Sequence, residues 1–416
     1  MRKTAGHVSA VLRRLILIGC SIQIVLGLCW MFCALSNTLS SGKGGWEGVV
    51  CVPVILITGW VLWFFLGALR KGKPFCRAFC VAAVLSFPMI LPFLLAPDVR
   101  LLTTLLLLLQ WGCLIRSIGR VQSGCLDRQG FWWFLAGFFC WMAAGIISEI
   151  SLAVGMVPLL VFLFRLRGRH SVRLLFAVLA MAGIVTAAGQ FFRPAEPLVH
   201  LADRIAWSSL YAEYDRLPLD DRKALKYEVM VEGTYETDGV EKVLVPALTE
   251  RRGKEGMEKV LKHMIANAWE FQRTKVCKEI LWDFAGYVLA PPVFLMQVQG
   301  RAYDSFSGLN YRNLLLPAPV LGSYYMRYGC FWFLTGLILR CCMLAADRIR
   351  GKHFFKEDSE EKRFAVICFP GILFVQAFLY TMSGAGKMDY RSCCLILMIW
   401  LAFLAGGCEE GSYGDA

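Results

Sequence analysis

Histidine is scarce in this chain, and its five positions (His7, His170, His200, His263 and His353) never fall at the HxH or HxxxH spacing that sets two imidazoles on one metal ion. No CxxC occurs, so neither a zinc ribbon nor a dithiol redox motif is written here. A glycine-rich phosphate loop, a GxGxxG turn, a GxSxG elbow and the kinase signatures are absent as well, which removes the common nucleotide-dependent and acyl-transfer enzymes. Charge is sparse too. Asp, Glu, Lys and Arg make up 18% of residues against 57% hydrophobic ones, and the mean hydropathy is +0.55, a balance far from that of soluble domains.

What the chain has in quantity is apolar sequence. A bilayer core of about 30 Å takes roughly 20 helical residues, and ten candidate runs present themselves: residues 15–35, 49–69, 78–97, 101–115, 131–147, 151–164, 174–192, 329–346, 364–382 and 392–407. The expected fold is therefore all-α and polytopic, with about ten transmembrane helices. Seven spans form an N-terminal bundle over residues 1–192, a small, mainly helical exterior domain fills 193–328, and three spans close the chain over 329–416. The first run is longer than a signal-peptide core of about 7–15 residues and reads as a retained anchor.

Lys and Arg orient these spans, because basic loops stay in the cytoplasm. Arg2, Lys3, Arg13 and Arg14 precede the first run; Arg70, Lys71, Lys73 and Arg77 follow the second; Arg116, Arg120 and Arg128 follow the fourth; Arg165, Arg167, Arg169 and Arg173 follow the sixth. The connections between these clusters hold little charge. This alternation places both termini inside and residues 193–328 outside a cell membrane. That exterior stretch carries 18 basic and 18 acidic residues, so the net charge of +13 resides in the loops assigned to the cytoplasm. The positive balance thus reports attraction to anionic lipid and not nucleic-acid binding.

Residues 131–164 contain one charged side chain, Glu149, inside "GIISEISLAVG". For the Arg116 and Arg165 clusters to share a side, these 34 residues must be two helices, and Glu149 must lie at the turn between them. In the exterior stretch, "MEKVLKHMIANAWEFQRTKVCKEILWDF" repeats apolar residues at Met257, Leu261, Met264 and Ala268 without Gly or Pro, the pattern of one long amphipathic helix. "DRIAWSSLYAEYDRLP" and "LDDRKALKYEVM" predict shorter helices, and "GYVLAPPVFLMQVQG" an interfacial or re-entrant segment. Of 17 cysteines only Cys277 falls in this exterior stretch, so no disulfide framework holds it.

Four features have side chains suited to chemistry. Glu47 in "SGKGGWEGVV" follows the first run beside an interfacial Trp46, and suits a general base at the mouth of a membrane groove or a loop charge at the headgroups. Asp98 in "APDVR" tips the next outer loop, where Arg100 could neutralise a phosphate or pair with it. Glu149 occupies the third. The stretch "GRAYDSFSGLNYRNLLLPAPVLGSYYMRYG" gathers Arg301, Tyr303, Asp304, Asn310, Tyr311 and Arg312, groups that stack on sugar rings and grip phosphate, or that form an interfacial aromatic belt.

"IQIVLGLCWMFCAL", "YVLAPPVFLMQVQG", "NYRNLLLPAPVLGSYYMRYG" and "SGAGKMDYRSCCLILMIW" resemble poorly characterised bacterial integral-membrane proteins of the GT-C type. The resemblance implies roughly a dozen spans, broken helices beside an outward groove, and transfer of a sugar from a polyprenyl-phosphate donor to a cell-envelope glycan or lipid acceptor. It implies Glu47 as the base and Asp98 as the second acid, with Arg100 or Arg301 near the donor phosphate. It names no certain cofactor, and leaves room for a divalent metal ion. GT-C enzymes usually carry an Asp after the first span, and this loop offers only Glu47. Two other readings stand beside the enzyme: a non-catalytic glycan-binding or scaffold protein, and a transporter or flippase for a lipid-linked substrate.

Overall fold

A computed structural model describes residues 2–40, 45–69, 74–88, 90–91, 94, 99–122, 125–166, 169–192, 198–199, 201–202, 216–225, 243–289, 319–349, 360–382 and 394–405. The chain divides into two compact units. One comprises Met1–Gly189, Phe306–Leu373 and Cys394–Ala416; the other comprises Gln190–Ser305 and Phe374–Cys393.

The first unit is built from α1 (Arg2–Ser40), α2 (Gly45–Leu69), α3 (Pro74–Leu85), α4 (Val99–Ile118), α5 (Arg128–Ile147), α6 (Glu149–Arg165), most of α7 (Arg169–Phe192), then, farther along the chain, a long helix Pro319–Ile349, the start of Glu360–Met382, and Cys394–Ala405. Among the described residues, six helices are long and apolar enough to cross a bilayer: Thr4–Phe32, Val52–Leu69, Val99–Ile118, Arg128–Ile147, Tyr328–Ile349 and Glu360–Thr381. Shorter apolar helices run over Pro74–Leu85, Leu174–Ala187 and Leu395–Ala405. The protein is an all-α, multi-pass membrane protein. The strand content among the described residues is a two-residue antiparallel ladder between β1 (Val121–Gln122) and β2 (Cys125–Leu126), in the connection from α4 to α5.

The hairpin of α5 and α6 has local causes. Asp127 caps α5, its carboxylate accepting from the Gly130 N–H at 2.5 Å. Ser148 is at once the C-cap of α5 and the N-cap of α6, its hydroxyl accepting from the Ser151 N–H at 3.4 Å. Gly137 brings α5 against α4, since a Cβ there would stand 3.2 Å from the Gln110 carbonyl oxygen.

One feature departs from the expected span over 78–97: α3 stops at Leu85. Pro88 has no N–H for the Val84 carbonyl, so the helical ladder cannot continue through it. Phe87, Ile90, Leu91 and Leu94 beyond the stop are all buried.

The second unit includes α8 (Leu219–Leu225) and α9 (Val245–Leu289). Its apolar core joins Val199, Leu217, Leu225, Leu248, Val260 and Leu261. Met257, Leu261, Met264 and Ala268, expected on the inner face of one long helix, are all buried. The helix is longer than its periodic stretch and is interrupted twice, at Gly253 (φ 68°, ψ 179°) and Gln272 (φ −127°, ψ 22°). Asp221, in the first turn of α8, ties it to α9: its carboxylate receives Arg252 Nη1 at 3.0 Å and lies 2.6 Å from His263 Nδ1. "DRIAWSSLYAEYDRLP" up to Asp215, and most of "GYVLAPPVFLMQVQG", lie outside the described residues.

Candidate functional site

The helices after the second unit are α10 (Pro319–Ile349), α11 (Glu360–Met382) and α12 (Cys394–Ala405). The break after α3 meets α1 and α10, and its hydrogen bonds can be followed atom by atom. The Phe87 N–H turns to the Val84 carbonyl at 3.2 Å, abandoning that of Ala83; the Ile90 N–H turns to Phe87 at 2.9 Å, abandoning that of Ser86. Two carbonyls are thereby released where hydrocarbon offers no donor. Gln23 of α1 donates its side-chain amide to the Ala83 carbonyl at 2.9 Å, and the Tyr325 hydroxyl of α10 donates to the Ser86 carbonyl. Gln23 and Tyr325 are each 1% exposed, so water does not replace them.

Small residues let the three segments close. A Cβ on Gly27 would stand 2.8 Å from the Ser86 oxygen and 3.0 Å from the Tyr325 hydroxyl, and one on Gly329 would collide with Pro88. The Trp30 ring stacks on Tyr325 with centroids 5.9 Å apart, and Tyr328 donates to the Gly19 carbonyl at 2.9 Å. The result is a helix broken at a buried turn at Ser86, Pro88 and Ile90, held by an amide, two phenols and an indole.

A similar device supports α6. Pro158 removes the N–H that would bond the Val154 carbonyl, and on either side of that position Gln110 of α4 donates to the Gly155 carbonyl at 2.6 Å and Trp141 of α5 to the Leu152 carbonyl at 2.9 Å. Farther along α1, Ser9 and Arg13 both reach the buried carboxylate of Asp347 on α10, at 2.8 and 3.1 Å.

The helix ends group by charge. The Arg116 guanidinium at the end of α4 lies over Phe64 and Trp133, 4.2 and 4.8 Å from their centroids, and Arg77 of α3 lies over Trp63, next to Phe64. Gly119 adjoins the Glu361 side chain, and Arg165 pairs with Glu360 at 3.3 Å. The basic ends of α4 and α6 therefore share one end of this unit. With Gln110 touching Gly155 midway, α4 and α6 run in the same direction, which puts Arg100 and Glu149 together at the opposite end.

Of the residues named from the sequence, Glu149, Arg100 and the backbone of Glu47 fall among the described residues. Glu149 is the first residue of α6, exposed, next to its N-cap Ser148 at the turn between α5 and α6 and not in a helix interior. Arg100 is in the first turn of α4, partly buried, and its carbonyl accepts from Thr103 Oγ1 at 2.9 Å. Glu47 is in the first turn of α2, but its side chain is outside the described set. Asp98, Arg301, Tyr303, Asp304, Asn310, Tyr311 and Arg312 lie outside the described residues. Among the described residues, no group of three or more His, Cys, Asp or Glu converges on a metal position.

Gln23, Ser86 and Tyr325 were not singled out by sequence reasoning. Their signals were Pro88 inside an apolar run and a lone amide in an otherwise apolar span, both plain in the sequence once a break is sought. No family model, curated protein or solved structure matches the chain.

Proposed function

We propose that this chain is a GT-C-type membrane glycosyltransferase that moves a sugar from a polyprenyl-phosphate donor to a cell-envelope acceptor at the outer face. The observation that carries the reading is the broken third helix. Interrupted helices inside a membrane protein expose backbone polarity only where other protein groups or a cavity receive it, and such breaks adjoin substrate sites. From Leu94 the chain needs only four residues, at most about 14 Å of extended backbone, to reach Asp98, with Arg100 two residues beyond. Tyr325, which closes the break, belongs to the tyrosine-rich stretch that begins at Arg301.

In this reading ten spans place both termini in the cytoplasm and residues 193–328 outside. The acceptor hydroxyl loses its proton to Glu47 as it attacks the anomeric carbon, and Asp98 is the second acid. The departing lipid phosphate gains charge, which Arg100 and Arg301 neutralise. Tyr303, Asp304, Asn310, Tyr311, Arg312 and Glu149 border the sugar and its acceptor. The direct test is Arg100→Ala in the reconstituted protein. Removal of a charge-assisted hydrogen bond worth about 1.5–3 kcal/mol should weaken binding of a polyprenyl-phosphate sugar by about ten- to 150-fold. Unchanged binding removes Arg100 from the donor site.

The Ser9, Arg13 and Asp347 cluster favours a second reading. Buried ionisable groups between membrane helices mark ion or substrate paths, as in a transporter or flippase for a lipid-linked substrate. That reading predicts movement of the intact substrate across the bilayer with no glycosidic bond formed.

A further inference from the structure

The C-terminal half of α9 has two faces, and only one is used inside the protein. Beyond the interruption at Gln272, Val276 and Tyr287 are each 1% exposed and Ile280 is half-buried, so positions i, i+4 and i+11 form an inward stripe. Lys278, Leu281 and Trp282 lie on the opposite side of the helix, with Leu281 and Trp282 both 66% exposed. The pattern continues at the interruption itself, where Trp269 and Phe271 are each 48% exposed and border an open recess together with Arg273 and Lys275. Two tryptophans, a phenylalanine and a leucine on one solvent-facing helix form an apolar surface of the kind that marks an interaction site.

The same helix carries its own indication of what covers this face. Phe284 packs edge-on against Phe374 with centroids 5.5 Å apart, and Tyr287 stacks on Tyr380 at 6.3 Å. Phe374 and Tyr380 belong to Glu360–Thr381, a helix apolar and long enough to cross the bilayer. The end of α9 is therefore fixed against a membrane span, two to three residues beyond Leu281 and Trp282. Indole rings beside ammonium and guanidinium groups suit the headgroup zone, where the ring enters the acyl boundary and the cation meets lipid phosphate. Glu270 lines the same recess and is exposed and Glu279 is half-buried, so the exposed Arg273, Lys275 and Lys278 outnumber the one exposed carboxylate among the described residues of this stretch and leave the outer face positive.

We infer that residues 269–282 form an interfacial helix whose outer face docks on the anionic phospholipid surface of the membrane that the chain spans. The docking holds the second unit at the bilayer through its own side chains, independently of any sugar chemistry. Arg216, whose guanidinium lies 4.0 Å from the Phe271 ring centroid, braces the platform from the protein side.

Site-specific photo-crosslinking in the full-length protein tests this. Benzoylphenylalanine replaces Trp282, Trp269 or, as a control on the same helix, Lys262, whose side chain is 64% exposed on the portion packed on the apolar core. Each protein is placed in nanodiscs of phosphatidylcholine with phosphatidylglycerol, irradiated and read by mass spectrometry. Lipid adducts should form at positions 282 and 269 several-fold above those at 262. The adduct at 269 should fall several-fold when phosphatidylglycerol is omitted or when Arg273, Lys275 and Lys278 are replaced by Gln. Adducts at 282 no greater than at 262, or adducts there to protein instead of lipid, overturn the inference. An adduct at 269 indifferent both to lipid charge and to the three replacements overturns its electrostatic part.

Discussion

Gln23 on α1 donates its side-chain amide to the carbonyl oxygen of Ala83 across 2.9 Å of the helix bundle, and that carbonyl is free to accept because the Phe87 N–H has turned to Val84. A side chain 60 residues away thus completes the backbone of a helix that a proline has stopped. The Tyr325 hydroxyl does the same for Ser86 from the far end of the chain. Removing the Tyr325 hydroxyl takes the side-chain donor from the Ser86 carbonyl, and removing Gln23 leaves the Ala83 carbonyl with only the longer bond from Ser86 Oγ at 3.3 Å. Gln23→Leu and Tyr325→Phe should each destabilise the protein by about 1–2 kcal/mol. Reversible unfolding in bicelles measures the loss, and wild-type stability in both variants would show that the carbonyls find other donors.

Arg13 and Asp347 should behave as a unit. Asp347 is buried and Arg13 partly so, and removing one member of such a pair leaves the other uncompensated at a cost of up to about 3–5 kcal/mol, whereas replacing both by apolar residues of similar size can be nearly neutral. Asp347→Leu should therefore unfold at a lower denaturant concentration than wild type, and Arg13→Met with Asp347→Leu should recover most of the difference. A double variant less stable than either single one contradicts a purely structural pair, and directs attention to what else Asp347 binds.

How much of this was visible before the fold? The turn at Glu149 was, because two basic clusters 49 residues apart had to share a side, and Ser148 caps both helices there. The inner face of α9 was legible from period alone, since Met257, Leu261, Met264 and Ala268 fall on one stripe. Neither the break after α3 nor its two donors could be read that way. Hydropathy averages over a window, and the prolines at 88, 92 and 97 leave residues 78–97 apolar enough to pass for an intact span. The donors come from positions 23 and 325, whose proximity is a property of packing and leaves no local periodicity. The pairing of Arg13 with Asp347 was hidden for the same reason: each looked like a charge at the end of its own span.

Sidedness is testable on the native cysteines. Cys277 is half-buried, in the stretch assigned to the outside, and is not in a disulfide. An impermeant maleimide added to intact cells should label Cys277, and more fully after mild denaturation, while Cys125 between α4 and α5 stays unlabelled until the membrane is opened. Labelling of Cys125 in sealed cells reverses the orientation and places the basic loops outside.

The central proposal is sugar transfer at the outer face with Glu47 as base, and one measurement addresses it most directly. Full-length protein in nanodiscs is given a radiolabelled polyprenyl-phosphate sugar and an envelope-glycan acceptor, and bound donor and transferred sugar are counted separately for wild type and Glu47→Gln. The amide keeps the size of the carboxylate but takes no proton. The expected result is donor binding by both proteins within about twofold, with transfer lowered by about 10²–10⁴-fold in the variant, the usual contribution of a general base. Full transfer by Glu47→Gln removes Glu47 from the chemistry, and a wild type that binds no lipid-linked sugar contradicts the account.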